Sequence, residues 1–466
     1  MTQNDPRRWW ALPVVLSASF LALFDLFVTN VAAPSIQRDL RAGGGGLEGV
    51  VAGYSFSYAI GLITGGRLGD LLGRRRVFLA GMVVFTVAAG LCGAAPSTGA
   101  LLAARLVQGL GAALMVPQVL ALIQAMFPVA ERPRAFAYFG AAAGMGTIAG
   151  QAGGGLLLRL DLFGLGWRGA FLVQLPVGVA ALMAGRTLIP ESRGTGDTRL
   201  DLPGAALLTL GLGLVLLPLL AGREQGWPAW TVVSLVAAVP VLAVFAAGQR
   251  RRVAPLVDPA LFRDRAFTAG LLISLAFYAD LGSFFFAVTL YLQDVRHDSP
   301  LAAGLEFAPL GVTFVVASVL ARRLVARYGR RVLTAGTGLV LASLAAGIAV
   351  VEAGAPLAPV MLAVGFGNGL VLPALLNVVL AGVDPRRAGA ASGVLVTAQQ
   401  FGNALGIAAI GGLYFASGPA AALGADLGLI AAVLALILLL PYGTGRTPKP
   451  GAPAREPVAG SARAGT

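Results

Sequence analysis

Long apolar runs recur along the whole chain, and this feature limits the possible fold more than any other. Fourteen runs of about 17–25 residues are bounded by charged residues or by Gly and Pro clusters, and this is the length that an α-helix needs to cross a bilayer. Only 12% of the residues are charged and 57% are hydrophobic, so a water-exposed surface cannot be covered. The runs predict an all-α integral membrane protein and exclude a large soluble catalytic domain.

The fourteen predicted spans are separated by short connections, and none alternates in the way that barrel strands do. Numbered 1 to 14 in chain order, they are Ala11–Ala33, Leu47–Gly66, Val77–Ala95, Leu101–Ala125, Ala135–Leu158, Gly169–Ile189, Leu202–Ala221, Trp230–Gly248, Phe267–Leu292, Ala302–Ala321, Val332–Val351, Pro356–Ala381, Ala388–Ala416 and Ala425–Tyr442. Residues 443–466 are rich in Gly, Pro, Ala and Arg, and we expect them to form a disordered cytoplasmic tail.

The net charge of +13 is explained by the distribution of the basic residues between the two sides of the membrane. If the N-terminus lies inside, 27 Lys and Arg side chains fall on the inner side and 6 on the outer side. Inner loops of membrane proteins carry this excess. The charge pattern therefore predicts that both termini are cytoplasmic, and it removes the need to invoke a nucleic-acid partner.

An internal repeat relates the beginning of the chain to its end. The matching pairs are Gly109–Pro117 with Gly365–Pro373 and Leu68–Arg74 with Leu324–Arg330 at a spacing of 256 residues, and Asp25 with Asp280 at a spacing of 255. Several separated matches at one spacing indicate duplication. Spans 1 to 6 therefore correspond to spans 9 to 14.

The repeat predicts the domain organisation. Residues 11–190 and 267–442 form two six-helix bundles that share one orientation, because an even number of crossings separates them. The other predicted parts are an N-terminal cytoplasmic tail at 1–10, two inserted helices within 202–248 and a cytoplasmic linker at 249–266. In such folds the substrate binds near the middle of the bilayer while one bundle rocks against the other. The architecture predicts a transporter.

The segment GRLGDLLGRRR, residues 66–76, lies between spans 2 and 3 and resembles the loop signature of the major facilitator superfamily. Gly66 and Gly73 permit a tight reversal. In that superfamily the loop latches the cytoplasmic side in the outward-facing state. The resemblance implies this role for Asp70, which we expect to meet a helix N-terminus or an Arg of the other half, and more loosely for Arg74.

Three further segments resemble the 14-spanner drug:proton antiporter family across essentially the whole chain. Span 1 carries Asp25, Asn30 and Pro34, span 4 carries Arg105, and Trp167 stands in the loop before span 6. The resemblance implies the major facilitator fold with two extra central helices, and an antiporter that exports drugs. It also implies that Asp25 binds and releases a proton and that Arg105 is coupled to it.

Span 5 departs from the antiporter pattern at one position. The Gly-rich stretch Gly146–Gly154 keeps the spacing of the glycines but has Gln151 where a Pro is expected. A Pro would kink the helix, whereas Gln adds an amide that needs a partner in a closed bundle, such as Gln108, Asn30 or water. This departure leaves a proton-coupled symporter or a facilitator on the same scaffold as the alternative function.

Four charged residues fall inside or near the ends of apolar runs. Asp25 and Asp280 lie well inside spans 1 and 9, whereas Glu306 and Arg105 lie about one turn into spans 10 and 4. A charge in the bilayer is costly and commonly marks a pathway or a partner. We take all four as candidates for proton coupling or substrate binding, with two structural alternatives: a bond from Asp25 to Asn30 or the backbone, and interfacial solvation of Glu306.

Several amides also fall within the spans and are equally consistent with interhelical bonds and with a polar cavity lining. The candidates for the cavity are Asn30, Gln108, Gln151, Asn368, Asn377, Gln399, Gln400 and Asn403.

The sequence as a whole predicts a proton-coupled exporter of amphiphilic drugs, antibiotics or related metabolites in the cytoplasmic membrane. The expected partners are a small-molecule substrate, protons and the lipid bilayer, and we expect a monomer. One His, one Cys and no P-loop motif give no basis for a metal, a cofactor or a catalytic site. A membrane enzyme or sensor remains the alternative of another class.

Overall fold

The computed structural model describes residues 7–193, 200–252, 255–380, 383 and 387–439, and these contain helices and no strand. The α-helices are α1 (Arg8–Leu40), α2 (Gly44–Leu72), α3 (Arg74–Gly93), α4 (Thr98–Met126), α5 (Arg132–Ile148), α6 (Gly154–Leu160), α7 (Gly169–Leu172), α8 (Gln174–Leu188), α9 (Leu202–Ala221), α10 (Ala229–Arg251), α11 (Arg265–Leu290), α12 (Pro300–Glu306), α13 (Ala308–Tyr328), α14 (Arg331–Glu352), α15 (Ala358–Leu380), α16 (Ala388–Ser417) and α17 (Pro419–Leu439). Two π-helical turns, π1 (Ala149–Gly153) and π2 (Tyr291–Val295), continue α5 and α11. The predicted all-α class is confirmed.

Thirteen helices in the described part of the chain are long and apolar enough to cross a membrane. The remaining predicted span, Ala135–Leu158, is also helical, since α5, π1 and α6 follow one another without a break. The π turn lies within Gly146–Gly154, where the sequence has Gln151 instead of the Pro that would kink the helix.

The helices pack as two groups with a pair between them. In the first half, α1 to α8, α4 packs against α2 and α3, and α1 packs against α5. In the second half, α11 to α17, the main contacts are α11 with α16 and α13 with α15. The inserted helices α9 and α10 pack on each other, and α9 touches both α2 and α16.

Glycines allow the closest helix contacts, as small residues do in membrane bundles. A Cβ on Gly81 of α3 would lie 2.7 Å from the backbone nitrogen of Met115 in α4, and one on Gly111 would lie 2.6 Å from the nitrogen of Phe85. No side chain fits at these crossings. The first half is therefore held together by backbone contact at positions that only Gly can occupy.

The two halves meet closely at one face. We call the face at which α1 begins the terminal face and the opposite one the far face. At the far face α6 packs on α12, where a Cβ on Gly155 would lie 2.8 Å from the Cα of Leu301. Arg38 at the end of α1 also pairs across the halves with Asp294 of π2, at 3.4 Å. The far face is closed by direct contact.

The terminal face is more open. Helices α2 and α16 remain in contact over much of their length. In contrast, α5 and α13 do not pack extensively on each other within the described residues, and both expose large apolar side chains, including Tyr138 and Met145 on α5 and Val312 and Val319 on α13. The halves are therefore separated between α5 and α13 on this side.

Some helix ends differ from the predicted ones. Helix α2 begins at Gly44 rather than Leu47, and α17 begins at Pro419 rather than Ala425, so Glu48 and Asp426 lie inside helices. The predicted linker at 249–266 contains the end of α10, a 3-10 turn at Pro259–Arg263 and the start of α11. The predicted tail at 443–466 lies outside the described residues.

Candidate functional site

An ion pair is completely buried inside the first half. Asp25 of α1 and Arg105 of α4 both have 0% of their side chains exposed, and the guanidinium Nη1 of Arg105 contacts Oδ2 of Asp25. Removing two charges from water is costly unless the charges pair and their remaining donors and acceptors are bonded. The sequence-predicted coupling residues are thus direct partners in the structure.

Two amides complete the surroundings of Asp25. Its Oδ1 accepts hydrogen bonds from Nε2 of Gln108 at 2.9 Å and from Nε2 of Gln174 at 3.0 Å. Gln108 is fully buried and its Oε1 accepts from Arg105 at 2.8 Å. For Gln108 the geometry agrees with the alternative of an interhelical bond, because its amide bonds to Asp25 of α1. Gln174 was not among the predicted site residues, although it lies in a predicted span.

Arg105 is held by further groups of the first half. Its Nε donates to the carbonyl oxygen of Val50 at 3.1 Å, and its Cζ lies 4.6 Å from the ring centroid of Tyr54 and 5.7 Å from that of Phe171. Aromatic faces attract cations. Arg105 therefore points into the bundle.

The second half buries two carboxylates. Asp280 of α11 is 3% exposed and Asp426 of α17 is 0% exposed. The hydroxyl of Ser283 donates to Oδ1 of Asp426. Sequence reasoning missed Asp426 because span 14 was started one residue before it. Pro419 after a Gly, typical of a helix beginning, is the signal that would have placed Asp426 two turns inside.

Glu48 of α2 is a second carboxylate that sequence reasoning missed, and it is buried. It faces α16, because a Cβ on Gly411 would lie 3.3 Å from its Cγ. Glu306, in contrast, is 23% exposed at the side chain and lies 3.6 Å from Arg296 of the preceding turn. This position agrees with the interfacial alternative for Glu306 rather than with a place in the central space.

The predicted cavity amides are scattered. Nδ2 of Asn403 donates to Oγ of Ser55 at 2.9 Å and so joins α16 to α2 across the halves. Nδ2 of Asn30 bonds the carbonyl of Leu26 at 3.2 Å, not Asp25. Asn368 and Gln399 are buried, Gln400 is partly buried, and the side chain of Asn377 lies outside the described residues.

Gln151 lies in π1 and is 4% exposed. Neither of its amide atoms has a hydrogen-bond partner among the described residues, so the expected bond to Gln108 or Asn30 is wrong. The π turn places the backbone of Gln151 against α12, where a Cβ on Gly304 would lie 2.6 Å from its carbonyl oxygen. The residue therefore belongs to the far-face contact between the halves.

The loop after α2 pairs within itself. Asp70 Oδ1 accepts from Nη2 of Arg74 at 2.9 Å, and Gly73 adopts a φ of 109° that favours Gly. Gly66 is partly buried near Pro117. Among the described residues Asp70 contacts no Arg of the second half, and its expected role as a latch in the outward-facing state stays a prediction.

An apolar groove of about 500 Å³ opens between α1 and α5. Its walls include Trp9, Leu16, Phe20, Tyr138 and Met145. Within the described residues, no group of three His, Cys, Asp or Glu side chains is placed to hold a metal ion. What the described site offers chemically is buried charge and protonatable carboxylates beside an apolar surface.

The Major Facilitator Superfamily model matches residues 15–407 and again residues 313–463. The probable actinorhodin transporter of Streptomyces coelicolor is 39% identical over 393 residues, which are 81% of this chain and 67% of that protein. The puromycin resistance protein pur8 of Streptomyces alboniger is 38% identical over 391 residues, 82% of this chain and 76% of that protein.

Two solved structures are similar in fold. One is a bacterial homologue of the human lysosomal transporter Spinster in an inward-facing and occupied conformation, with a TM-score of 0.68, 17% identity and coverage of 94% of this chain and 97% of that chain. The other is the partially occluded inward-open xylose transporter XylE from E. coli, with a TM-score of 0.65, 16% identity and coverage of 93% and 99%. The chain is a multi-pass membrane transporter, and it belongs to the major facilitator superfamily.

Proposed function

We propose that the chain exports amphiphilic antibiotics or related metabolites in exchange for protons, by alternating access across the cell membrane. The observation that carries this proposal is the buried Asp25–Arg105 pair between α1 and α4. The charges of the carboxylate and the Arg cancel each other, so a proton bound to the carboxylate leaves a net positive charge on the buried pair. The relatives named for actinorhodin and puromycin support an antibiotic as the substrate.

Protonation of Asp25 supplies the coupling step. It would leave the Arg105 cation without its counter-ion, and breaking a buried pair by neutralising one partner costs about 3–5 kcal/mol. A rearrangement of α1 against α4 that gives Arg105 a new partner then becomes favourable. A proton moving down a potential of about 100 mV provides about 2.3 kcal/mol. The energy from one or two protons is therefore comparable with the cost of breaking the buried pair.

The proposed cycle uses the predicted domain organisation. The bundles at 11–190 and 267–442 rock against each other around the helices inserted at 202–248. The excess of basic residues on the terminal side supports a cytoplasmic terminal face. With the far face closed, the structure then corresponds to an inward-facing state, in which the apolar groove beside α1 and α5 is open to substrate. We propose that one chain suffices for transport.

Purified protein in proteoliposomes tests this function. We expect an imposed proton gradient to drive uphill movement of puromycin, with protons moving in the opposite direction, and a protonophore to abolish it. Asp25→Asn keeps the size of the side chain but cannot change charge, so it should lose uphill transport and keep downhill exchange. Protons and puromycin moving in the same direction would identify a symporter, and puromycin movement without proton flux would identify a facilitator. Actinorhodin is tested as a second substrate in the same assay.

A further inference from the structure

The second half contains a carboxylate pair without a cation. Asp280 of α11 and Asp426 of α17 lie on helices that pack on each other. Ser283, one turn after Asp280, donates its hydroxyl to Asp426, and its Oγ lies 3.1 Å from the backbone carbonyl oxygen of Asp280. Oδ1 of Asp280 and Oδ2 of Asp426 are fully buried and have no hydrogen-bond partner in the described part of the chain. Both side chains therefore carry unsatisfied acceptors in an apolar bundle.

The internal repeat shows what this pair lacks. Asp280 corresponds to Asp25, and at the spacing of 256 Asp426 corresponds to Ala170. The position that corresponds to Arg105 at the spacing of 256 is Met361, which is fully buried on α15. The first half thus balances one carboxylate with a guanidinium, whereas the second half has two carboxylates and an apolar side chain.

No other described charge compensates the pair. Neither carboxylate belongs to an ion pair of the described residues, and Asp25 on the neighbouring α1 is held by Arg105. The other ionisable groups on the elements packed against α11 and α17 are tyrosines or lie near helix ends: Arg8, Arg38, Asp39, Arg263, Arg265, Tyr278, Tyr291, Asp294, Arg331, Glu352 and Tyr414.

Two neighbouring carboxylates in an apolar surrounding cannot both stay ionised, because their repulsion and their loss of hydration add. One proton removes a charge and supplies the missing donor to an acceptor oxygen. We propose that Asp280 and Asp426 form a shared proton-binding site of the second half, and that this site carries one of the protons exchanged for substrate, beside the one bound by Asp25. The inference rests on the proposed function and adds Asp426 to it.

Infrared spectroscopy of the purified full chain tests proton binding without transport. At neutral pH we expect the C=O stretching band of a buried, protonated carboxylic acid in the wild type. Compared in a Glu48→Gln background, because Glu48 is also a buried carboxylate, Asp280→Asn and Asp426→Asn should each lower the intensity of this band. Asp25→Asn should leave it, as should Asp264→Asn, a matched control at the start of α11 where Asn also caps a helix. If Asp426→Asn does not insert, Asp426→Ser is the replacement.

Transport in the same proteoliposomes separates this inference from the proposed function. We expect Asp280→Asn and Asp426→Asn each to lower proton-driven puromycin transport at least about tenfold while downhill exchange persists. A wild type that moves puromycin without protons overturns the proposed function. If the wild type couples puromycin to protons but both Asn variants keep the infrared band and the coupling, the inference alone is overturned. It is also overturned if wild-type transport requires Na⁺ at constant pH and the infrared spectrum has no band of a protonated carboxylic acid.

Discussion

At the scale of residues, the Asp25–Arg105 ion pair of the first half is surrounded by groups that hydrogen-bond to it. Asp25 accepts from one guanidinium and two amides, and Arg105 also donates to the carbonyl of Val50. Such a network offsets desolvation only while all its members are present. Loss of a single ion should therefore cost more than loss of the pair.

A double-mutant cycle measures this coupling. Arg105→Met, which copies Met361 of the second half, leaves Asp25 buried and unpaired, and we expect a loss of about 3–5 kcal/mol in unfolding free energy. The double variant Asp25→Asn with Arg105→Met should recover more than half of that loss. The measurement is denaturant unfolding of the purified protein in detergent micelles.

Arg76→Met is the control for this cycle, since the Arg76 side chain is 67% exposed and exposed pairs contribute about 0–1 kcal/mol. The single variant Asp25→Asn completes the cycle, and a loss in the double variant equal to the sum of the two single losses would show that Asp25 and Arg105 do not stabilise each other.

At the scale of elements, the far-face contact depends on one helix crossing. The backbone of π1 approaches α12 at Gly304, where a Cβ would lie 2.6 Å from the carbonyl oxygen of Gln151 and 3.4 Å from the Cα of Ala152. Backbone atoms cannot move aside as the end of a side chain can. π turns are frequent at functional positions in helices, and here the turn forms part of the contact between the halves.

We expect Gly304→Val to open the far face, because the added side chain collides with the π1 backbone. Accessibility of Ala152→Cys to a membrane-impermeant maleimide should rise several-fold, measured in a Cys92→Ser background that removes the single native Cys. Gly311→Val is the matched control on α13, since the nearest atom to its Cβ is the Cγ1 of Ile148 at 3.9 Å. Unchanged labelling of the Gly304 variant would mean that this crossing does not close the far face.

At the scale of the whole molecule, Asp70 in the segment between α2 and α3 is not bonded to any described residue of α11 to α17. Asp70 is bound to Arg74 of its own loop, and the far face is closed while the terminal ends of α5 and α13 are separated. A latch that acts in the opposite state should be unoccupied in this one. The geometry is therefore compatible with the role that the loop signature implies.

Asp70→Ala should shift the population toward the state seen here. We expect turnover of puromycin to fall about tenfold, which corresponds to a shift of about 1.4 kcal/mol, with little change in puromycin binding. Far-face labelling of Ala152→Cys should fall in parallel. Glu131→Ala is the control at the same face, because Glu131 pairs with Arg8 inside the first half. Normal turnover and labelling would reduce the loop to an anchor.

The sequence by itself determined the helical class and nearly all of the crossings. A bilayer requires every backbone polar group to be satisfied within the segment, so a long apolar run can be read as a helix without knowing its neighbours. The same local reading identified Asp25, Arg105 and Asp280 as costly residues. It failed at Asp426 and Glu48, where an error of a few residues in a helix start moved a buried carboxylate to an apparent membrane surface.

The tertiary structure alone decided which polar groups meet. Gln108 donates a hydrogen bond to Asp25. Gln151 lies in a π turn, and its amide has no partner among the described residues. Asp426 lies near Asp280, although it is 146 residues later in the chain. Hydropathy measures how costly it is to bury a residue. Which partner a buried polar side chain meets depends on the rotation and depth of the two helices that carry them. The rotation and depth of each helix are set by the packing of glycines such as Gly111 against neighbouring backbones. A pattern of apolar runs contains no information about this packing.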